Sequence, residues 1–97
     1  MFVVAADYYA KDGMQEEIAR ILQSMIPISR AEPGCALYTV NRLVDDPRKF
    51  LLYEQYHDRS GYDAHMATDA FKENILGKVV AMLESRVRAF YEVIESA

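Results

Sequence analysis

Two neighbouring segments of the chain have the residue types of β-strands and are close enough in sequence to pair. They run from Cys35 to Leu43 and from Lys49 to His57, and five residues, Val44-Asp45-Asp46-Pro47-Arg48, separate them. Aspartate and proline favour tight turns, so the two segments are predicted to form an antiparallel hairpin. A hairpin flanked by helical patterns restricts the chain to a small set of α+β folds.

Further strand-like segments lie near both ends of the sequence. The first, Phe2–Ala10, is rich in valine and tyrosine, is too short for an amphipathic helix and ends at Lys11-Asp12-Gly13. The last, Arg86–Ile94, returns to a strand pattern. The sequence therefore predicts four strands.

The interval after the first strand has a helical pattern. Apolar residues recur there at spacings of three and four, as one face of an amphipathic helix requires. They are Met14, Ile18, Ile21, Leu22 and Met25. Pro27 is expected to bend or end this helix.

The interval after the hairpin predicts two helical pieces. Ser60 followed by Asp63 resembles a capping box and starts a short helix. Thr68 or Asp69 can cap a second piece. The short helix carries Tyr62, His65 and Met66, and the second piece keeps Phe71, Ile75, Val79, Met82 and Leu83 on one face.

The order strand, helix, strand, strand, helix, strand is the β-α-β-β-α-β arrangement of ferredoxin-like α+β folds. We expect a single domain over residues 1–97, with helices on one face of a four-stranded antiparallel sheet. Apolar runs such as Phe2–Ala6 and Phe50–Tyr53 do not alternate with polar residues, as strands with one solvated face would. The open sheet face is therefore expected to pack on a second subunit in a homodimer, unless the strands simply tolerate exposed tyrosine and alanine.

Charge and cysteine content disfavour several classes of function. The net charge is −4 and the eleven Lys and Arg residues are scattered, so nucleic acid and membrane surfaces are not expected partners. Cys35 is the only cysteine, and no paired Cys and His spacing typical of zinc is present, so no metal site is predicted. No stretch approaches the about 20 apolar residues of a membrane span, and a cytoplasmic protein is expected.

His65 is the side chain best suited to catalysis. The sequence has no glycine-rich phosphate loop, nucleophile elbow, zinc-protease motif or EF-hand loop. A histidine on a short helix above a tyrosine-rich sheet can exchange protons near neutral pH with a phenol or enol. The alternative is a capping or core-edge residue, the commoner role of an isolated histidine on an amphipathic helix. His57 is better explained as part of a solvated turn.

Carboxylates and amides add further candidates. Asp7 interrupts an apolar strand and either lines a pocket or reaches solvent or an arginine near the strand end. Glu54 raises the same question in the third strand, where a cross-strand salt bridge to Arg42 or Arg88 is its favoured role. Asn74, on the last predicted helix, is a polar group suited to orient a ligand.

Aromatic residues are abundant, with seven Tyr and four Phe. Tyr9, Tyr53 and Tyr62 either line a pocket for a flat aromatic substrate or are half-buried residues that use their hydroxyls at the dimer seam.

Four segments have a distinctive order and spacing, namely Arg30–Cys35, Asp45–Pro47, Phe50–Asp58 and Ala64–Phe71. Together they make the chain similar, over nearly its full length, to the antibiotic biosynthesis monooxygenase family of small dimeric α+β barrel proteins. The resemblance implies a cofactor-independent monooxygenase, without metal, flavin or haem, that uses O2 on a phenolic, quinol or similar small aromatic substrate.

The haem-degrading branch of this family carries an Asn, a Trp and a His at positions that correspond here to Asp7, His65 and Asn74. This chain has no Trp, so haem degradation is disfavoured. The comparison implies that the three residues surround one pocket. There His65 would accept or relay the phenolic proton, Asp7 or Asn74 would orient the ring oxygens, and Tyr53 and Phe71 would exclude water.

Two other functions are compatible with the same residues. A non-catalytic dimer would bind a small hydrophobic metabolite without proton transfer. An isomerase of a small keto sugar would use His65 to move a proton and would consume no O2, although its polar substrate fits an aromatic pocket less well.

Overall fold

The computed structural model describes residues 1–95 and has the predicted order of elements. They are β1 (Phe2–Ala10), α1 (Gln15–Arg30), β2 (Cys35–Arg42), β3 (Lys49–Tyr56), α2 (Arg59–Met66), α3 (Phe71–Val79) and β4 (Leu83–Glu92). The helix α3 is of the wide π type, and a 3₁₀ turn, Val80–Met82, joins it to β4. The strand order is β2-β3-β1-β4 with all neighbours antiparallel. This arrangement confirms the ferredoxin-like α+β fold.

The two faces of the sheet differ in what covers them. Alternate residues of a strand point to opposite faces, and in β1 the side chains of Val4, Ala6 and Tyr8 are buried in the core beneath the helices. The intervening Asp7 lies on the other face with its pairing partner Val87, which is 61% exposed. We call this other side of the sheet the open face.

The core lies between the sheet and the helices, and the predicted apolar faces of the helices form much of it. The buried residues of α1 include Ile18, Ile21, Leu22 and Met25. Those of α3 are Phe71, Ile75 and Val79. Within residues 1–95, no helix is long and apolar enough to cross a membrane.

Pro27 was expected to bend or end α1, and it does not end the helix. The helix continues to Arg30 with no break at Pro27. Pro27 lies in the last turn, where its missing N–H removes a single hydrogen bond. Met25 and Ser29 on either side of it are buried, and this packing favours the helical path over the local preference of proline.

The starts of the later elements also differ in detail from the prediction. Asp58 rather than Ser60 caps α2, because Asp58 has the extended backbone of a cap residue and accepts a hydrogen bond from the N–H of Gly61 at 3.3 Å. Thr68 does form a hydrogen bond with the first residue of α3, because its hydroxyl accepts from the N–H of Phe71 at 3.2 Å. Leu83 was expected in the helix but begins β4, where it pairs with Ala10 beyond a bulge.

Candidate active site

His65 lies on α2 and points into the core, with only 2% of its side chain exposed. Two features bring α2 close to the beginning of β2. Asp58 fixes its first turn, and the backbones of Gly34 and Gly61 touch so closely that a Cβ on Gly34 would lie 2.7 Å from the Cα of Gly61. The imidazole is thereby placed between α2 and the helix-covered face of the sheet.

Glu32 holds one nitrogen of this imidazole. The two oxygens of Glu32, in the turn after α1, lie 2.9 and 3.1 Å from Nδ1 of His65. A carboxylate can only accept, so Nδ1–H donates to it and the neutral ring carries its lone pair on Nε2. The Glu32 side chain is 15% exposed, so it lies between the buried ring and the surface.

Glu54 faces the other nitrogen. Its Oε1 is 3.8 Å from Nε2 of His65, and the same oxygen accepts a hydrogen bond of 2.5 Å from the hydroxyl of Tyr56. Burial raises the pKa of Glu54 to about 7, although the Tyr56 hydrogen bond acts in the opposite direction. Burial lowers the pKa of His65, and the carboxylate of Glu32 partly offsets this effect. Glu54 can therefore change charge near neutral pH, whereas burial favours the neutral form of His65.

Aromatic rings enclose the imidazole. The ring centroids of Tyr38, Tyr56, Tyr62 and Phe71 lie 5.8, 5.7, 6.4 and 5.2 Å from that of His65. Burial raises the pKa of Tyr38 and of Tyr56, so both phenols stay protonated. The arrangement can take up and return a proton in surroundings with little water.

The structure brings three of the predicted site residues together, namely His65, Tyr62 and Phe71. Asn74 also lies in the helical layer, where its amide is 3.6 Å from the sulfur of Met25 in α1.

The structure does not bring Asp7, Tyr9 or Tyr53 to His65. Asp7 lies on the open face, and Tyr53 shares that face because it pairs with Ala5. The Tyr53 hydroxyl accepts from the amide of Gln55 at 3.0 Å. Tyr9 donates to Asp46 of the hairpin turn at 2.8 Å. The sheet therefore separates these three residues from the imidazole within one protomer.

Sequence reasoning missed Glu32 and Glu54 as neighbours of His65. The expected salt bridge of Glu54 to Arg42 or Arg88 was wrong, because Arg42 pairs with Glu16 at 3.2 Å and Arg88 donates to the hydroxyl of Tyr62. The position of Glu54 could have indicated its burial, because it lies two residues from each of the core residues Leu52 and Tyr56 and so shares their face of β3.

A groove of about 440 Å³ lies outside Glu32. Its lining includes Glu32, Gly34, Gly61, Ala64 and Thr68. Within residues 1–95, no cluster of three or more His, Cys, Asp or Glu side chains has the arrangement of a metal site.

The fold and the site place the molecule in the class of ferredoxin-like α+β proteins with a buried imidazole. The sequence model of the family described as antibiotic biosynthesis monooxygenase matches residues 1–75. The chain therefore belongs to this family.

Known proteins similar to the chain include the uncharacterised protein sll1783 of Synechocystis, which is 34% identical over 71 residues. That match covers 73% of this chain and 48% of the relative, so the chain spans about half the length of the curated relative.

Solved structures extend the similarity over almost the whole fold. Protein SO0527 from Shewanella oneidensis has a TM-score of 0.87 and 31% identity, and the match covers 93% of this chain and 87% of that protein. A provisionally named antibiotic biosynthesis monooxygenase from Nitrosomonas europaea has a TM-score of 0.92 and 25% identity, over 98% and 100% of the two chains.

Proposed function

We propose that the protein is a cofactor-independent monooxygenase that oxidises a phenol, quinol or similar small aromatic compound with O2. The observation that carries this proposal is the environment of His65. One nitrogen is hydrogen-bonded to a carboxylate, the other faces a carboxyl group, and four aromatic rings surround the imidazole. The monooxygenase name of the family supports the same reaction class.

The proposed reaction begins with proton transfer. Ground-state O2 reacts slowly with closed-shell molecules until one of them can give up an electron, and a phenolate does so more readily than a phenol. His65 Nε2 accepts the proton of the substrate, and Glu32 stabilises the imidazolium and holds its orientation. Glu32 is thus a positioning residue.

Electrons and atoms balance without a further reductant. The substrate anion transfers an electron to O2, and the two radicals combine into a carbon-bound peroxide. At a ring CH₂ group, the peroxide takes a proton and loses water to leave a carbonyl. One oxygen atom is then in the product and the other in water, and all four electrons come from the substrate.

Oxygen consumption tests the proposal. Metal-stripped protein is supplied with hydroquinones, dihydroxynaphthalenes and anthrones, and O2 uptake is compared with the spontaneous rate. We expect uptake by the wild type that falls by about 100-fold or more in His65→Ala and in His65→Gln, as the loss of a general base predicts. His57→Gln is the matched control, because His57 is the other histidine of the chain and is exposed.

Two results would contradict the proposal. One is the absence of uptake above the spontaneous rate with every compound. The other is uptake that persists unchanged in both His65 variants while circular dichroism reports an intact fold.

A non-catalytic dimer that binds a small aromatic metabolite is the second candidate. The observation that favours it is the close packing of aromatic rings around an imidazole that is only 2% exposed. Ligand-induced thermal stabilisation without O2 uptake would support this function. Conversion of a keto sugar without O2 uptake would instead indicate that the protein is an isomerase.

The open face is the proposed homodimer interface. Val87, Tyr91 and Leu37 lie on it and are 61, 57 and 40% exposed in the protomer. Asp7, Tyr9 and Tyr53 belong to this proposed interface, rather than to the chemistry beside His65, because they point away from the imidazole.

A further inference from the structure

Three arginines gather beside the candidate active site, on the helix-covered side of β4. Arg86 and Arg88 lie in β4 opposite Tyr8 and Ala6, which are core residues on that side of the sheet. Arg59 opens α2. We call the group formed by these three residues with Phe2, Tyr62 and Phe90 the arginine platform.

The platform has flat aromatic surfaces. The rings of Phe2 and Phe90 stack with centroids 5.7 Å apart and an interplanar angle of 24°. The guanidinium of Arg59 lies 5.5 Å from the centre of the Phe2 ring and 5.6 Å from that of Phe90. Phe90 is 42% exposed, so a planar molecule can stack on it.

Among residues 1–95, the guanidinium groups of the platform form no salt bridges. Arg88 donates to the hydroxyl of Tyr62 at 2.9 Å, and Arg86 donates to that of Tyr8 at 3.3 Å. Within residues 1–95, no carboxylate oxygen lies within 4.0 Å of a nitrogen of Arg59, Arg86 or Arg88. Arg86 and Arg88 lie near enough to the buried carboxyl of Glu54 to oppose the rise of its pKa, but neither forms a salt bridge with it. Three arginines outside salt bridges, in one corner of a chain with net charge −4, form a local attraction for anions.

Three other arginines of the chain form salt bridges. Arg20 pairs with Glu17, Arg42 pairs with Glu16 at 3.2 Å, and Arg48 pairs with Glu84 at 3.1 Å. Arg30, which donates to the carbonyl oxygen of Tyr38 at 3.1 Å, is likewise outside these salt bridges. The platform differs because it gathers three such arginines beside aromatic rings.

The platform lies one ring away from His65. Tyr62 accepts the hydrogen bond of Arg88, and its ring stacks on the imidazole at 6.4 Å with an angle of 21°. The platform is also on the opposite side of the sheet from the open face, so the proposed dimer leaves it accessible.

We propose that the arginine platform binds the carboxylate of an aromatic acid, and that the substrates of this protein are phenols or quinols that bear a carboxylate. The inference rests on the proposed function. An arginine has five N–H donors, so Arg88 keeps donors free for a carboxylate after its bond to Tyr62. Arginine and carboxylate fit as a two-bond pair, while Phe90 stacks on the aromatic ring.

A pair of ligands that O2 does not oxidise tests the site separately from catalysis. We would titrate the protein with 1-naphthoate and with 1-naphthalenemethanol, which share the ring system and differ in charge, and follow backbone amide shifts by NMR. We expect 1-naphthoate to bind about 10-fold more tightly or better, as a charge-assisted contact predicts. The largest shifts should lie at Arg59, Tyr62 and Phe90.

Variants then assign the charge. Arg59→Gln and Arg88→Gln should each weaken 1-naphthoate binding by about fivefold or more and leave the alcohol unaffected, because each removes one cation from the site. Arg20→Gln is the matched control, since Arg20 is an exposed arginine on α1. Unchanged melting temperatures would exclude misfolding of the variants.

Three results would overturn the inference: equal affinity for the two ligands, no binding of either one, or equal weakening by the Arg20 variant. The proposed function fails separately. Selective binding of 1-naphthoate without any O2 uptake would support the anion site and contradict the oxygenase. O2 uptake with neutral quinols that is unchanged in the Arg59 and Arg88 variants would support the oxygenase and contradict the anion site.

Discussion

Glu54 and His65 form a pair in which either the carboxyl group or the imidazole can hold a proton. Burial raises the pKa of the carboxyl to about 7 and lowers that of the imidazole, and Oε1 and Nε2 are 3.8 Å apart. A pair of this kind can deliver a proton to a bound anion as readily as it removes one from a phenol, which the peroxide step of the proposed reaction also requires.

The raised pKa of Glu54 predicts a pH dependence of stability. Between the unfolded pKa of about 4.5 and the folded pKa of about 7, the folded protein holds a proton that the unfolded chain has released. Stability therefore falls as pH rises through this window. Glu54→Gln removes the effect, so the free energy of unfolding of the wild type minus that of the variant should decrease by about 3 kcal/mol from pH 4.5 to 7.

Urea unfolding at several pH values measures this difference. The lowered folded pKa of His65 makes the free energy of unfolding change with pH in the opposite direction. His65 is present in both proteins, so its contribution cancels in the difference. Glu73→Gln, a change at an exposed glutamate of α3, is the control. A wild type and Glu54→Gln variant with parallel pH profiles would contradict the raised pKa.

Glu32 should control the basicity of His65. The carboxylate raises the pKa of the imidazole through its charge and its hydrogen bond, against the lowering by burial. Glu32→Gln keeps an oxygen that can accept from Nδ1 but removes the charge, so the pKa of His65 should fall further. NMR titration of the His65 ring protons measures it, with Glu73→Gln as the control, and an unchanged or higher pKa would exclude this role.

At the residue scale, the sequence could indicate His65 but not its partners. A histidine on an amphipathic helix is visible from spacing alone. Glu32 reaches it from a turn 33 positions away, and Glu54 reaches it across the core. Such contacts depend on how α2 docks on the sheet, which local patterns do not encode.

At the scale of elements, the contact between Gly34 and Gly61 determines how closely α2 approaches β2. A Cβ on Gly61 would lie 2.9 Å from the carbonyl oxygen of Gly34, and one on Gly34 would lie 2.7 Å from the Cα of Gly61. Backbone atoms cannot move aside as a flexible side chain can. The carbonyl of Gly34 also accepts the N–H of His57 at 3.0 Å, which limits any shift further.

Gly34→Ala and Gly61→Ala should therefore each destabilise the protein, by about 1 to 3 kcal/mol as in other overpacked sites. Urea unfolding checks the free energy. Gly77→Ala is the control, because a Cβ there would meet a single oxygen at 3.2 Å and alanine favours a helix. If the three variants proved equally stable, the close approach of the two backbones would not be a constraint on the fold.

The order of the elements was predictable because the strands and helices differ clearly in composition and period. Their boundaries were less so. Local preference predicted a bend or an end of α1 at Pro27 and the start of β4 at Arg86, whereas packing extends α1 to Arg30 and pairs Leu83 with Ala10. The apolar face of α3 was found correctly through Phe71, Ile75 and Val79. Its π-type hydrogen bonding had no signal in the sequence.

At the scale of the whole molecule, family membership and the proposed chemistry are consistent with a protomer that uses its two sheet faces differently. The helix-covered face holds the imidazole and, at its edge, the arginine platform. The open face carries exposed apolar side chains on a short chain, and chains of this length bury a comparatively small share of their surface on their own. Pairing of two open faces around a twofold axis would cover these side chains.

The proposed dimer makes a direct prediction. Val87→Asp places a charge at a 61% exposed position of the open face; in a dimer it would be buried against the same face of the partner, where an unpaired carboxylate is strongly unfavourable. Light scattering after size-exclusion chromatography should report a dimer for the wild type and a monomer for this variant. Val44→Asp is the control, because Val44 is 96% exposed in the hairpin turn and outside the strands. A monomeric wild type would remove the proposed interface. A Val87→Asp protein that remains dimeric would place the interface elsewhere, because burying an unpaired carboxylate between two copies would weaken their association.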